Sequence, residues 1–373
     1  MSDQSNKPSY NVTEPRQNEF KNKLISYMQT DAMSRYEEPV ASLLRKNISN
    51  NFEVSRDKFG SIIFYKKASS PNAPKVMIAA HMDEVGYLVR DFTKTGQLLL
   101  TPVGGIWASV VIGTKAKLIT SSKQEYIGVF GHTSIHIMEA SKISQALTNN
   151  DLYADFGFYS KEQAIAAGIQ IGDRVYLSGE TILFNDTNLI GGKAMDNRAG
   201  VAVLDEIASQ IANCDLDVNL YLVGTVQEEV GTRGARTSVS IINPDIAIAL
   251  DTTSSHDTYA TIPGSTKLNA GAAIRVKDGG TLMDPKLIDA FIKISNKYQI
   301  PTYKFVAAGG GTDAKELQFA PGGASVLTIS LPQRYLHSPI GVCAISDLLA
   351  ASDLIVNFLK DFNDSEYQKI KYN

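Results

Sequence analysis

A chain of 373 residues with a formal net charge of -3, 43% hydrophobic and 20% charged residues has the make-up of a soluble globular protein, long enough for one large domain or two ordinary ones. With that balance nothing points to nucleic acid or to an anionic membrane surface as a partner. No run approaches the roughly 20 apolar residues that span a bilayer, the N-terminus has no apolar signal core, and Cys214 and Cys343 form no CxxC pair or disulfide framework; a reducing, cytoplasmic setting is therefore expected.

Along the chain, residues 1–17 are polar and read as a flexible tail. Phe20, Leu24 and Met28 then recur every fourth residue and predict a helix, and a second is expected from about Tyr36, with Pro39 in its first turn. Ser61–Tyr65 and Lys75–Ala80 read as strands. From about residue 90 to 182 the pattern changes to short β-prone runs: Leu98–Leu100, Val110–Ile112, Ala116–Thr120, Tyr126–Phe130 and Arg174–Leu177. Glycine and serine pairs punctuate them, and one helical stretch, Ser160–Gly168, interrupts them. After about Asn188 strands and helices alternate again: a helix over Asn197–Ala212, strands at Val218–Val226 and Ile246–Leu250, a helix over Asp284–Tyr298 and a strand at Ala324–Leu331. A last helix is expected to be capped at Ser346-Asp347. The expected architecture is an α/β domain with a mostly parallel central sheet flanked by helices, formed by residues 18–89 and 183–365, into which 90–182 insert a small all-β domain.

Glu228 and Glu229 end the apolar run Leu222–Val226. Neighbouring side chains at a strand's end point in different directions. One carboxylate can then hold a metal while the other faces a substrate, as metal-assisted hydrolysis requires. A lone Glu-Glu pair is more simply a solvated turn, but four more residues of ligand type sit at equivalent places: His81 after Val76–Ala80, Asp196 before the helix from Asn197, Asp251 after Ile246–Leu250, and His337 shortly after Val326–Leu331. Open α/β sheets carry their functional crevice outside the carboxyl ends of the strands, where these five would meet. Asp196, Glu229 and Asp251 bring three negative charges, and two divalent ions would leave the site one unit positive, which favours forming hydroxide from water near neutral pH. Mixed nitrogen and oxygen donors suit zinc, cobalt or manganese. Taken singly, each residue has a plainer reading: Asp196 as a helix N-cap, Asp251 as a turn cap, His81 and His337 as ordinary polar residues. His256 reads as a loop residue, His132 and His136 as structural or interfacial, and Gly191-Gly192 and Gly309–Gly311 as tight turns without the spacing of a phosphate-binding loop.

Five segments occur in order: His81-Met82-Asp83-Glu84-Val85-Gly86, Lys193–Gly200, Gln227–Ala235, Gly310–Ala314 and Arg334-Tyr335-Leu336-His337-Ser338. In this the chain resembles the M42 family of dinuclear-metal aminopeptidases, which includes glutamyl and tetrahedral aminopeptidases, over about residues 20–362. The resemblance implies that Asp196 bridges two metals, that His81 and Asp251 complete one site and Glu229 and His337 the other, that Glu228 is general base and acid, and that Asp83 orients the His81 ring. It implies a cis peptide bond at Asp196-Asn197. It implies hydrolysis of the N-terminal peptide bond of peptides with a free N-terminus, by a metal-activated water. It also implies self-association through the inserted β domain, as dimers that build hollow dodecamers. Gly104–Ser109 and Gly131–Ile137 depart from the family pattern, and both lie in the inserted region.

Two other readings compete. A deacylase or carboxypeptidase on the same scaffold would keep the ligands but need no free substrate amine. A non-catalytic assembly protein would use the metals structurally, and would have no use for Glu228.

Overall fold

The structure, a computed structural model, describes residues 10, 12–48 and 51–372. The chain opens with α1 (Glu14–Met28) and α2 (Glu38–Ile48), then β1 (Glu53–Arg56), β2 (Ile62–Lys66) and β3 (Lys75–His81). Six strands follow, β4 (Gly86–Phe92), β5 (Leu98–Val103), β6 (Lys115–Ile119), β7 (Glu125–Gly131), β8 (Tyr153–Asp155) and β9 (Arg174–Leu177), with α3 (Lys161–Ala166) before the last. Next come β10 (Ile182–Leu183), β11 (Leu189–Gly192), α4 (Met195–Ile211), β12 (Asn219–Thr225), α5 (Arg233–Ile242) and β13 (Ile246–Ser254). The chain ends with β14 (Ala272–Lys277), α6 (Pro285–Tyr298), β15 (Thr302–Val306), α7 (Ala314–Leu317), β16 (Ser325–Gln333), β17 (Gly341–Ala344), α8 (Ile345–Asp361) and α9 (Asp364–Ile370).

The main sheet has eight strands in the order β1-β2-β12-β3-β13-β16-β14-β15. It is mixed. Its central pairings, β12 with β3, β3 with β13 and β13 with β16, are parallel, and antiparallel pairings flank them. Val76 to His81 on β3 and Ile246 to Thr253 on β13 are buried in unbroken runs, so both faces of the sheet are covered. Helix α4, buried around most of its circumference, packs against β3, β13, α1 and α8. A closed barrel, β4-β5-β8-β7-β6-β9, stands apart with its own core of Tyr87, Val89, Leu98, Leu100, Leu118, Phe130 and Val175.

The structure departs from several expectations. Helix α1 starts at Glu14, earlier than the apolar spacing predicts, with Pro15 in its first turn. Of the expected tail, residues 1–9 and 11 lie outside the described residues. Tyr10 and Arg16 are anchored: the Tyr10 hydroxyl donates to Asp353 at 2.8 Å, and Arg16 bonds both Asp353 and Glu206. Polar pairs of this kind leave no trace in hydrophobic periodicity. Val110–Ile112 form no strand, because Ala108–Val110 is a 3-10 turn closed by Val111 N–H to the Ala108 carbonyl; the apolar character reflects Val111 capping the barrel core. The α8 cap is not Ser346-Asp347. The helix already begins at Ile345, and Asp347 accepts the N–H groups of Asn269 and Gly271, each at 2.8 Å, tying down a neighbouring loop. Gly191 and Gly192 form no turn; they lie in β11, where a Cβ on Gly192 would come 2.9 Å from Met28 Sδ.

Candidate metal centre and active site

All five expected ligands converge at one end of the central strands. His81 is the last residue of β3 and Asp251 lies in β13, while Glu229 follows β12 and His337 follows β16. Asp196 sits in the first turn of α4 with non-helical backbone, followed by a cis peptide bond to Asn197. The capping role that the sequence offered Asp196 belongs to Asn197: its Oδ1 accepts Gly200 N–H at 3.0 Å and its Nδ2 donates to the Leu250 carbonyl at 2.8 Å. Asp196 is left to face the crevice. Two triads result, His81–Asp196–Asp251 and Asp196–Glu229–His337, each with donor atoms within 4.8 Å of one another. Asp196 belongs to both.

The hydrogen bonds give each imidazole a fixed orientation. His81 Nδ1 lies 3.1 Å from the Asp83 carbonyl and His337 Nδ1 lies 2.6 Å from the Gly105 carbonyl. A carbonyl only accepts, so both Nδ1 atoms carry the proton. Each Nε2 then points at Asp196, His81 to Oδ1 and His337 to Oδ2, both at 3.1 Å. With a neutral ring this tautomer sets a lone pair against a carboxylate oxygen, a clash that a proton on Nε2 or a metal cation between the two removes. A second sign is Glu229 Oε1, buried without a hydrogen-bond partner and 3.5 Å from His337 Nε2. The donor set therefore fits divalent metal.

Electrostatics point the same way. Burial, together with the Asp196 charge, pushes the Glu229 carboxyl up to about 8. Burial also raises Glu228 well above the carboxylate range, aided by Asp251 and Glu229, and raises Asp251. Burial opposes a charged His337 ring, yet Asp196 and Glu229 lift it to about 9. Acids that cling to protons and rings that gain them describe crowded negative charge, which metal ions relieve by displacing the protons.

Asp83 does more than the sequence suggests. Its Oδ1 is 3.5 Å from His81 Nδ1, farther than its own backbone carbonyl. The same carboxylate accepts Glu228 N–H at 3.0 Å, Glu229 N–H at 3.2 Å and the Ser34 hydroxyl at 2.6 Å. Several supports escape sequence reasoning. Glu37 accepts Gln227 N–H at 3.0 Å. Arg198, fully buried, donates to the carbonyls of Tyr27, Thr30 and Met82 and pairs with Glu84 at 3.0 Å, clamping the start of α4 to the end of β3. Arg198 falls within the segment Lys193–Gly200, but its clamping role rests on burial, which is invisible in sequence. Gly104 and Gly105, at the end of barrel strand β5, reach the site: a Cβ on Gly104 would lie 2.7 Å from Val85 and 3.3 Å from Glu229 Cβ.

A cleft of about 740 Å3 opens from the ligands and Glu228 between the ends of β13 and β15, with Gly309–Gly311 and Lys315 on its wall. Gly310 has φ 74, but no hydrogen-bonded turn is formed at Gly309–Gly311, where a tight turn is expected. His256 is a loop residue that also lines this cleft, with Nδ1 2.6 Å from the Thr266 hydroxyl. His132 and His136 are exposed on the barrel side of the molecule.

The chain can now be set beside known proteins. It is 31% identical over 355 residues to a glutamyl aminopeptidase of Lactococcus lactis subsp. cremoris, covering 95% of this chain and 99% of that one. The structure superposes on an aminopeptidase of the archaeon Desulfurococcus kamchatkensis with a TM-score of 0.90 at 32% identity, covering 96% and 99% of the two chains. It superposes on the Pyrococcus horikoshii TET1 peptidase, which can assemble into a tetrahedron or a large octahedral shell, with a TM-score of 0.83 at 27% identity, covering 92% of this chain and all of that one (100%). The model of the M42 glutamyl aminopeptidase family matches residues 60–354, and the chain belongs to that family of metal-dependent aminopeptidases.

Proposed function

We propose that this aminopeptidase works with two divalent metal ions, one held by His81, Asp196 and Asp251 and the other by Asp196, Glu229 and His337, with Glu228 as general base and acid. The observation that carries the reading is the opposed aim of two imidazoles at the two oxygens of one carboxylate, each ring fixed through its Nδ1–H. When bound, the ions supply Lewis acidity and make a water acidic enough to react near neutral pH; zinc or cobalt suits these donors, and manganese is the alternative.

The residues divide the remaining work. Glu228 Oε2, 4.0 Å from His81 Nε2, lines the open cleft and is not needed to complete either triad. It takes a proton from the attacking water and passes that proton to the amine that leaves as the peptide bond breaks. Asp83 orients the His81 ring through its backbone carbonyl and holds the Glu228 backbone through its carboxylate. The substrate is a peptide with a free N-terminus.

Self-association through the barrel is part of the proposal, toward a dimer and a dodecamer. Its support is the outward face of β7, where Ile127 and Val129 are exposed, and Ile135 and Ile137 beyond it, at 57% and 80% exposure. Two free thiols, Cys214 and Cys343, suit a cytoplasmic setting, and no helix among the described residues is long and apolar enough to cross a membrane.

The test is hydrolysis of aminoacyl p-nitroanilides by protein first chelated and then reloaded with zinc, cobalt or manganese, with the bound metal counted. Two ions per chain, restored release, and no action on N-acetylated substrates are expected. Acetate freed from N-acetylated peptides would move the assignment to a deacylase.

A further inference from the structure

Where β12 ends, the chain turns sharply through Val226, Gln227, Glu228 and Glu229. Gln227, a non-glycine residue, takes φ 57. Three consecutive N–H groups leave the sheet there, and none finds a backbone carbonyl. Gln227 N–H goes to Glu37 Oε1, and Glu228 and Glu229 N–H go to the two oxygens of Asp83. The far side of the turn closes on itself: Gly231 and Thr232 donate to the Glu228 carbonyl, each at 2.9 Å, and Arg233 donates to that of Gln227. Two buried carboxylates from the first 83 residues thus hold the backbone that carries Glu228.

Glu37 is not used for anything else that its position would suggest. It directly precedes α2 and its carbonyl accepts Ala41 N–H at 3.0 Å, yet its side chain turns away from the helix. Both its side-chain bonds, to Arg35 N–H at 2.8 Å and Gln227 N–H at 3.0 Å, use Oε1. Placing a carboxyl here, 5% exposed and beside the Asp83 charge, is unfavourable. Capping or packing alone would not call for an acid at this position.

We infer that Glu37 is a positioning residue for the reaction: through the Gln227 N–H it fixes the left-handed turn that aims Glu228 into the cleft. Glu37 touches neither substrate nor metal. Ser34, which bonds Asp83 Oδ2, belongs to the same arm, so the loop between α1 and α2 sets the base from behind. The inference rests on the general-base reading of Glu228.

The experiment compares E37M, E37D, E37Q and E228Q with wild type, all metal-loaded, for kcat, KM, bound metal and melting temperature. Methionine removes the acceptor. Aspartate keeps the charge but withdraws the acceptor by one carbon. Glutamine restores an oxygen at Oε1 without the charge. E37M and E37D should lose about 10- to 100-fold in kcat, as expected for a misaimed base, with KM and metal count held, and E37Q should recover most of that loss. Wild-type kcat in E37D overturns the inference, and E37D decides alone if E37M does not fold. So does a loss seen only in metal content or melting temperature, or an E37Q as slow as E37M. An active E228Q would instead strike the general-base reading, and this inference with it.

Discussion

Asp83 and Glu228 are joined by a hydrogen bond from the Glu228 N–H to Asp83 Oδ1 at 3.0 Å. One buried carboxylate therefore links the strand end that carries His81 to the turn that carries Glu228, the proposed general base. Its charge is favoured by its partners: burial opposes ionisation, but His81, Ser34 and the Glu228 N–H together hold it below the usual carboxylate range. Asp83→Asn keeps the shape and replaces one acceptor oxygen by an amide donor facing N–H or O–H groups. It should lower kcat and weaken metal binding, each by about 10- to 100-fold. Steady-state kinetics beside a chelator titration checks this, and unchanged values in both would show that the link is idle.

Glu228→Gln should bind both metals as wild type does and lose about 100- to 10,000-fold in kcat, the range general acid–base catalysis supplies. Glutamine is isosteric but cannot carry the proton. Metal counting separates this from loss of a ligand. A variant short of one metal would place Glu228 among the ligands instead.

The site was legible in sequence where it depends on residues at strand ends. His81, Glu229 and Asp251 could be placed because apolar strands announce themselves and a parallel sheet gathers their carboxyl ends. Asp196 carried a plausible capping role that only the Asn197 side chain, in the structure, takes away from it. What stayed hidden works through the backbone or across long sequence separations. Glu37 accepts an N–H from a residue 190 positions later, and Gly105 fixes His337 across 232 positions, through a carbonyl that every residue type possesses. At Tyr10 and Arg16 the expected tail failed for a similar reason: both are held by polar partners, and a periodicity argument registers only apolar ones.

Arg198→Met should destabilise the fold by about 3–5 kcal/mol, because it strips donors from buried carbonyls and a partner from Glu84. Met82, whose carbonyl Arg198 holds, lies between His81 and Asp83, so metal affinity should fall as well. Denaturant melts of the metal-free protein report the first effect and chelator competition on the folded variant the second. Lost stability with unchanged metal affinity would confine Arg198 to the core.

Glu37 also predicts how stability depends on pH. Burial, and after it the Asp83 charge, raises its carboxyl from 4.5 to about 7. Below 4.5 the folded and unfolded chains both hold this proton, and the group costs nothing. Between 4.5 and about 7 the unfolded chain releases the proton while the folded chain keeps it, so stability falls as pH rises through that window. Above it the penalty is constant, at most about 3 kcal/mol. Glutamine resembles the protonated acid at every pH and removes the term. Urea melts of metal-free wild type and E37Q at pH 5 and pH 8 cancel the groups the two share. E37Q should gain on wild type between pH 5 and pH 8, and a difference that does not change with pH would mean that Glu37 is ionised in the folded protein throughout.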